Sequence, residues 1–413
     1  QADEHCGTFS IAAYDSLTPE SAAKIRAKLA TLTRRPLISV LMPVYNTPEK
    51  WLVAAIESVR RQLYENWELC IADDASKQPH VRKILERYQK KDPRIKVVFR
   101  ETNGHISAAS NSALALAHGE FIALLDHDDE IRAHALACVA LELEAHPNAD
   151  LIYSDEDKID ENGHRYDHYF KPDWNPDLYN VQNYISHLGV YRTLLVRDVG
   201  GFRVGYEGSQ DWDLAHRVIE RTAPDRIRHI PKVLYHWRSV PGSTAMLIGA
   251  KNYATQSAEK VISEHFVRTG INATLSPTKG SYWRVHYPIP DPAPRVTLLI
   301  PTRNRLNVLQ PCVESILRQT TYPNFEILIV DNESDDPATL AYLAQVGRTV
   351  PGEPPSASSP NDAATEIGQR VRVVRFPGEF NFSALNNFGV TQTDAPLVGL
   401  LNNDLEVIHG DWL

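Results

Sequence analysis

Short apolar runs alternate with amphipathic stretches through most of the chain. LISVLMPVYN, at 37–46, is an apolar run closed by Pro43 and Asn46, the pattern of a buried strand that gives way to a loop. EKWLVAAIESVRRQL then carries apolar residues at helical spacing, and WELCIADDAS reads as a second buried strand ending in paired aspartates. VRKILERYQKK predicts a helix, IKVVFRE a strand, SAASNSALALA a helix and GEFIALLDHDD a further strand. Strands alternating with helices predict βαβ units and a mainly parallel sheet flanked by helices. Polar residues collect where the strands end, the edge at which open α/β sheets bind ligands. Residues 1–36 predict a helical appendage, with Thr18 as cap, Pro19 at the first helical position, and Ile25, Leu29 and Leu32 at helical spacing.

The pattern then recurs. LISVLMPVYN returns as VTLLIPTRN, AIESVRRQLYENWELCIADDAS as CVESILRQTTYPNFEILIVDNES, and FIALLDHDDEI as LVGLLNNDLEV. Asn111 stands seventeen residues before Asp128, and Asn387 seventeen before Asp404. Three blocks in one order at near-equal spacing predict tandem domains. The expected division is a first domain at 37–285, a stiff Pro-rich linker at 286–295 and a partial second copy at 296–413. VPGEPPSASSPNDAATEIG, at 350–368, is low-complexity and predicts a long loop within the second copy.

A chain of 413 residues fits this two-domain division, and 43% apolar with 23% charged residues is ordinary for a globular protein. A formal charge of −9 argues against a general nucleic-acid binder. Cys6, Cys70, Cys138 and Cys312 form no CxxC pair, so neither a zinc site nor a disulfide framework is expected. No apolar run reaches the length of a membrane span and no signal pattern opens the chain, so a cytoplasmic location is expected, with peripheral membrane contact left open.

The chemistry gathers at strand ends. Asp126, Asp128 and Asp129 follow the fourth strand, and carboxylates that close repel unless something positive joins them. A divalent cation with a preference for hard oxygen ligands, Mg²⁺ or Mn²⁺, resolves that conflict. The plainer alternative is an acidic turn with Asp129 capping the helix in EIRAHALACVALELEAH. Asp73 and Asp74 end the second strand, either to accept hydrogen bonds from a base or ribose or to close an Asx-type turn. In EGSQDWDLAHRVIE, Trp212, Ala215, Val218 and Ile219 form a helical stripe with Asp211 at the helix start, as cap or as general base. Asp213 is the rival base, about 200° further round the helix.

SVLMPVYN, ADDAS and LLDHDDE, followed by YSDEDKID, FKPDWNPD, GGFRVGYEGSQDWDLAHR and VLYHWR, resemble family 2 glycosyltransferases of the GT-A fold. The resemblance covers roughly 37–245 and, in part, 296–413. It implies an inverting, metal-dependent transferase acting on a nucleotide-diphosphate sugar, UDP- or dTDP-linked, and a glycan or lipid-linked glycan acceptor in bacterial surface polysaccharide synthesis. Asp126-His127-Asp128 then stands as the DXD motif, with Asp128 on the metal, Asp126 at the ribose or a metal-bound water, and Asp73, Pro43 and Tyr45 at the base. Asp211 becomes the general base, His236 a further metal ligand, and Arg238 a diphosphate contact. Asp155, Trp174 and Trp212 frame the acceptor. Relatives carry an arginine in the helix before the DXD strand; SAASNSALA has none, and Arg238 or Lys171 is expected to substitute. In the second copy Asp331 and Asp404 keep two of these positions while Asp74 becomes Asn332, and no base comes after them.

Two other functions compete. A degenerate site would leave a non-catalytic nucleotide-sugar or glycan-binding scaffold, against which the intact Asp73, Asp126, Asp128 and Asp211 stand. A nucleotidyltransferase would need a glycine-rich loop after the first strand, and PVYNTPEKW has no glycine.

Overall fold

A computed structural model describes residues 15–239, 252–278, 282–347 and 370–413. Cys6 and the low-complexity stretch 350–368 lie outside the described residues. The chain divides into two units, Gln1–Tyr287 and Pro288–Leu413, with the boundary inside the Pro-rich stretch.

The first unit opens with α1 (Pro19–Ala30). Thr18 Oγ1 accepts the Ser21 N–H at 3.1 Å and Pro19 fills the first helical position, as the cap pattern predicts. Then come β1 (Ile38–Val44), α2 (Glu49–Arg60), β2 (Trp67–Asp73), α3 (Pro79–Lys91), β3 (Ile95–Phe99), α4 (His105–Leu116) and β4 (Phe121–Leu124). β1 pairs in parallel with β2 and β4, and β2 with β3. β1 and β2 are buried at every position, which is why they read as continuous apolar runs rather than as alternation. Alternate residues feed two cores: Val40 and Met42 join one cluster, Leu41 the other.

The rest of the unit comprises β5 (Glu130–Ile131), α5 (Ala135–Ala145), β6 (Leu151–Ile159), β7 (Arg165–Tyr169), α6 (Pro176–Tyr179), β8 (Gly189–Arg192), α7 (Thr193–Asp198), α8 (Gln210–Ile219), β9 (Ile227–Arg238), α9 (Asn252–Thr269), β10 (Thr274–Pro277) and β11 (Trp283–His286). The sheet runs β3-β2-β1-β4-β8-β6-β9-β5, with β7 paired to β6. The first four strands and the β6–β9 pair are parallel; β8 lies antiparallel between β4 and β6 and joins the two halves. The helix expected directly after Asp129 begins only at Ala135, because Glu130 and Ile131 pair with β9 as a short strand. Asp129 is therefore not a helix cap.

The second unit holds β12 (Val296–Thr302), α10 (Leu306–Gln319), β13 (Phe325–Asp331), α11 (Pro337–Val346), β14 (Val371–Arg375), α12 (Phe382–Thr391) and β15 (Leu397–Leu400). Its sheet, β14-β13-β12-β15, is all parallel and repeats the order β3-β2-β1-β4. The repeat extends to single hydrogen bonds. Tyr64 donates to the Pro36 carbonyl at 2.7 Å, and Tyr322 to that of Pro294 at 2.6 Å. The Asn46 N–H reaches Ser76 Oγ at 2.9 Å, and the Asn304 N–H reaches Ser334 Oγ at 2.7 Å.

Candidate active site

At the carboxyl ends of β1, β2 and β4 a cleft of about 710 Å³ opens. Its floor carries Pro43, Tyr45, Asp126 and Asp128; Asn183, His187, Glu207 and Asp211 line it from the later half of the unit. Asn46, at φ 53, turns the chain sharply after β1, and its Oδ1 accepts the Lys77 N–H at 2.7 Å. That clip holds the ends of β1 and β2 together beneath Tyr45, which stays 40% exposed. The turn after β4 is pinned from β9. Tyr235 Oη accepts the Asp126 N–H at 3.2 Å and donates to Asp129 Oδ2 at 2.6 Å, while the Arg238 N–H reaches Asp129 Oδ1 at 2.7 Å. Asp129 is thereby consumed in shaping the turn. Its carboxyl is pushed well above the usual range by burial, with Asp128 and Asp126 adding to it.

Asp126 and Asp128 stand differently. Neither carboxylate accepts a hydrogen bond among the described residues, and both face the cleft. His187 Nε2 lies 3.9 Å from Asp126, and His127 Nδ1 3.6 Å from Asp128. Its recess in the cleft floor raises the Asp126 carboxyl; His187 and His127 oppose the shift while Asp128 and Asp211 reinforce it. Ligand atoms of Asp126, Asp129 and His187 lie within 4.8 Å of one another. Hard carboxylate oxygens beside an imidazole, with Asp126 accepting no hydrogen bond among the described residues and Asp129 already bonded to Tyr235 and Arg238, fit a divalent cation such as Mn²⁺ or Mg²⁺.

Asp211 and Asp213 are separated cleanly. Asp211, in the first turn of α8, lines the cleft and accepts a hydrogen bond from Asn183 Nδ2 at 2.7 Å. Asp213 is 0% exposed and clamped by Arg203 and by Arg217 Nη2 at 2.7 Å. A carboxylate held so has no path to a substrate.

Several sequence expectations meet a different geometry. His236 pairs through Nδ1 with the buried Asp157 at 2.5 Å; the imidazole beside Asp126 is His187. Arg238 is 2% exposed, donating to Glu130 at 2.5 Å and to the Asp128 carbonyl at 2.7 Å, so its guanidinium braces the acidic turn from behind. Lys171, the other candidate cation, is buried against Glu156 at 2.9 Å and the carbonyls of Ile185 and His187. Asp155 is buried on His229 Nε2 at 2.9 Å. Trp212 is buried, its Nε1–H on the Tyr179 carbonyl at 3.2 Å, and Trp174 packs on Tyr179 and Tyr184. These three are packing and ion-pair residues outside the cleft lining. Asp73 is buried at the strand end with Oδ1 accepting the Ser76 N–H at 3.2 Å, so Asp73, rather than Asp74, makes the Asx-type turn. Asp74 reaches the cleft wall but is matched by Arg100 Nε at 2.7 Å and the Gly104 N–H at 3.0 Å.

Asn183, His187 and Glu156 were not anticipated. Asn183 and His187 lie in a stretch without periodicity or motif, while Glu156 falls within YSDEDKID on β6; the fold sets Asn183 against Asp211 and His187 against Asp126. Burial works against a proton on His187, but Glu156 at 3.2 Å, with Asp126 and Asp129, raises its pKa to about 9. Burial also works against charge on Glu156, yet Lys171 and His187 bring it down to about 2. In the second unit, Ser334 N–H meets Asp331 Oδ1 at 3.1 Å, repeating Asp73, while Asn403 reaches Thr302 Oγ1 at 3.0 Å. Asp404 sits on its own turn after β15, and the unit's described residues contain no counterpart of Asn183, His187 or Asp211.

Among known proteins, the glycosyl transferase family 2 sequence model matches residues 39–200 and 297–413. The chain is 48% identical over 396 residues to an uncharacterized protein of Sinorhizobium fredii, covering 94% of this chain and 41% of that one. It is 35% identical over 395 residues to the O-antigen biosynthesis protein RfbC of Myxococcus xanthus, covering 96% of this chain and 29% of that protein. The chain thus spans less than half the length of either relative. Among solved structures, S. aureus TarS in complex with UDP-GlcNAc is 23% identical, with a TM-score of 0.46 over 56% of this chain and 66% of that one. No helix among the described residues is long and apolar enough to cross a membrane.

Proposed function

The chain belongs to glycosyl transferase family 2, and from that premise we propose that its first unit transfers a sugar, with inversion, from a nucleoside-diphosphate sugar to a glycan hydroxyl. The observation that carries this reading is the cleft itself. Two carboxylates that accept no hydrogen bond among the described residues, Asp126 and Asp128, lie on its floor, and a third, Asp211, stands on its wall with Asn183 as its donor. Breaking a sugar–phosphate bond builds negative charge on the departing diphosphate. Asp126 and Asp128, with His187 once its proton is released, would hold a divalent ion there, which would supply Lewis-acid neutralisation of that charge. Imidazole among the donors fits Mn²⁺ better than Mg²⁺. Asp211 takes the proton from the acceptor hydroxyl as it attacks the anomeric carbon. A single displacement inverts that carbon. Pro43 and Tyr45 offer the nucleoside an apolar wall at the end of β1. UDP and dTDP donors both suit it. The name of the RfbC relative supports a surface polysaccharide as the product's class.

The test is a panel of UDP-, dTDP- and GDP-sugars with Mn²⁺ and glycan acceptors, reading nucleoside diphosphate release and the anomeric configuration of the product. Asp128→Ala and Asp211→Asn are each expected to lower turnover about 10²- to 10⁴-fold. Donor binding without turnover in the wild-type protein, across the whole panel, would favour a non-catalytic binding role instead.

A further inference from the structure

Asn183 lines the cleft, and its Nδ2 donates to Asp211 Oδ2 at 2.7 Å. The other end of its amide settles which way the group points. Asn183 Oδ1 accepts from the Tyr179 hydroxyl at 3.3 Å and from the Ser186 N–H at 3.4 Å. A flipped amide would set its NH₂ against two donors and its oxygen against a carboxylate. Tyr179 is fixed in turn: it is 1% exposed, its N–H donates to the Asn175 carbonyl at 3.0 Å, and its carbonyl accepts the Trp212 Nε1–H at 3.2 Å. A rigid bracket therefore runs from α6 through Asn183 to the first turn of α8.

We infer that Asn183 is the positioning residue for Asp211: it holds one carboxylate oxygen and leaves the other turned to the cleft. The inference rests on the reading of Asp211 as the base. Asp126, Tyr179 and Tyr191 interact electrostatically with Asp211, and Glu207 and His187 line the same cleft. Among the described residues no other side chain donates to this carboxylate.

The test uses the whole chain, with steady-state transfer measured from pH 5 to 9 for wild type, Asn183→Ala, Asn183→Asp and Asp211→Asn. Melting curves run alongside. A base must be ionised to act, so activity rises as pH climbs through its pKa, and a raised pKa moves that acidic limb upward. Asn183→Ala is expected to lower kcat about 10- to 100-fold, with donor KM within about twofold. Its acidic limb moves up by about one pH unit, and that of the near-isosteric Asn183→Asp further, because a like charge now faces Asp211. Profiles for both variants that superimpose on wild type overturn the inference, whatever the loss in kcat. If Asp211→Asn keeps wild-type transfer, the parent reading fails; if it is inactive while the Asn183 profiles superimpose, only this inference does.

Discussion

Two aspartates two residues apart on α8 have opposite fates. Asp211 faces the cleft with one neutral donor, while Asp213 is sealed between Arg203 and Arg217. Their substitutions should separate just as sharply. Asp213→Ala strands two guanidiniums and is expected to cost about 3–5 kcal/mol in denaturant unfolding. Asp211→Asn keeps the Asn183 neighbour and should leave stability within about 0.5 kcal/mol while transfer is lost. The sequence distinguished these two only as rivals, since a helical wheel gives relative angle and not which side meets solvent. Asp126 and Asp128 stood out in the sequence because acids clustered at a strand end need an explanation. His187 and Asn183 did not, because their roles depend on partners 28 or more residues away. Arg238, the cation nearest the acidic turn in the fold's logic, was misread because charge alone cannot tell a brace behind the turn from a ligand in front of it.

Elements, by contrast, were largely readable. The apolar runs became β1, β2, β12 and β13, and the Thr18-Pro19 cap became the start of α1. What failed was local: the expected helix at 130 yielded to β5 because strand pairing with β9 outweighs helical spacing there. The helix that carries Asp211 is held at its far end by a clasp. Glu220, just past α8, accepts from His265 Nδ1 at 2.7 Å and Arg268 Nε at 2.8 Å on α9. Burial alone would raise the Glu220 carboxyl, but His265 and Arg268 hold it below its ordinary value. A depressed carboxyl stabilises the fold above its unfolded pKa and loses that contribution as pH falls through its folded one. Glu220→Gln should therefore cost about 1–3 kcal/mol at pH 7 and less at pH 3. Chemical denaturation of both proteins at the two pH values checks it, and a pH-independent difference would mean that shape rather than charge holds the clasp.

At the scale of the molecule, the chain is one plan used twice. The strand order, the Tyr-to-carbonyl bond below the sheet and the Asn-to-Ser clip above it recur in both units. Among the described residues, Asn183, His187 and Asp211 belong to the first unit. Transfer by this chain is accordingly expected to survive Asp404→Ala within about twofold, while Asp128→Ala abolishes it; equal losses from the two substitutions would place chemistry in the second unit. The floor of the cleft comes from residues 41–128, and its wall from residues further along. The floor has a twin in the second unit. On the proposed reading, the floor beneath the donor and the wall that carries the base are supplied by consecutive lengths of chain, so exchanging the later length by recombination is expected to alter the acceptor side while leaving the floor in place.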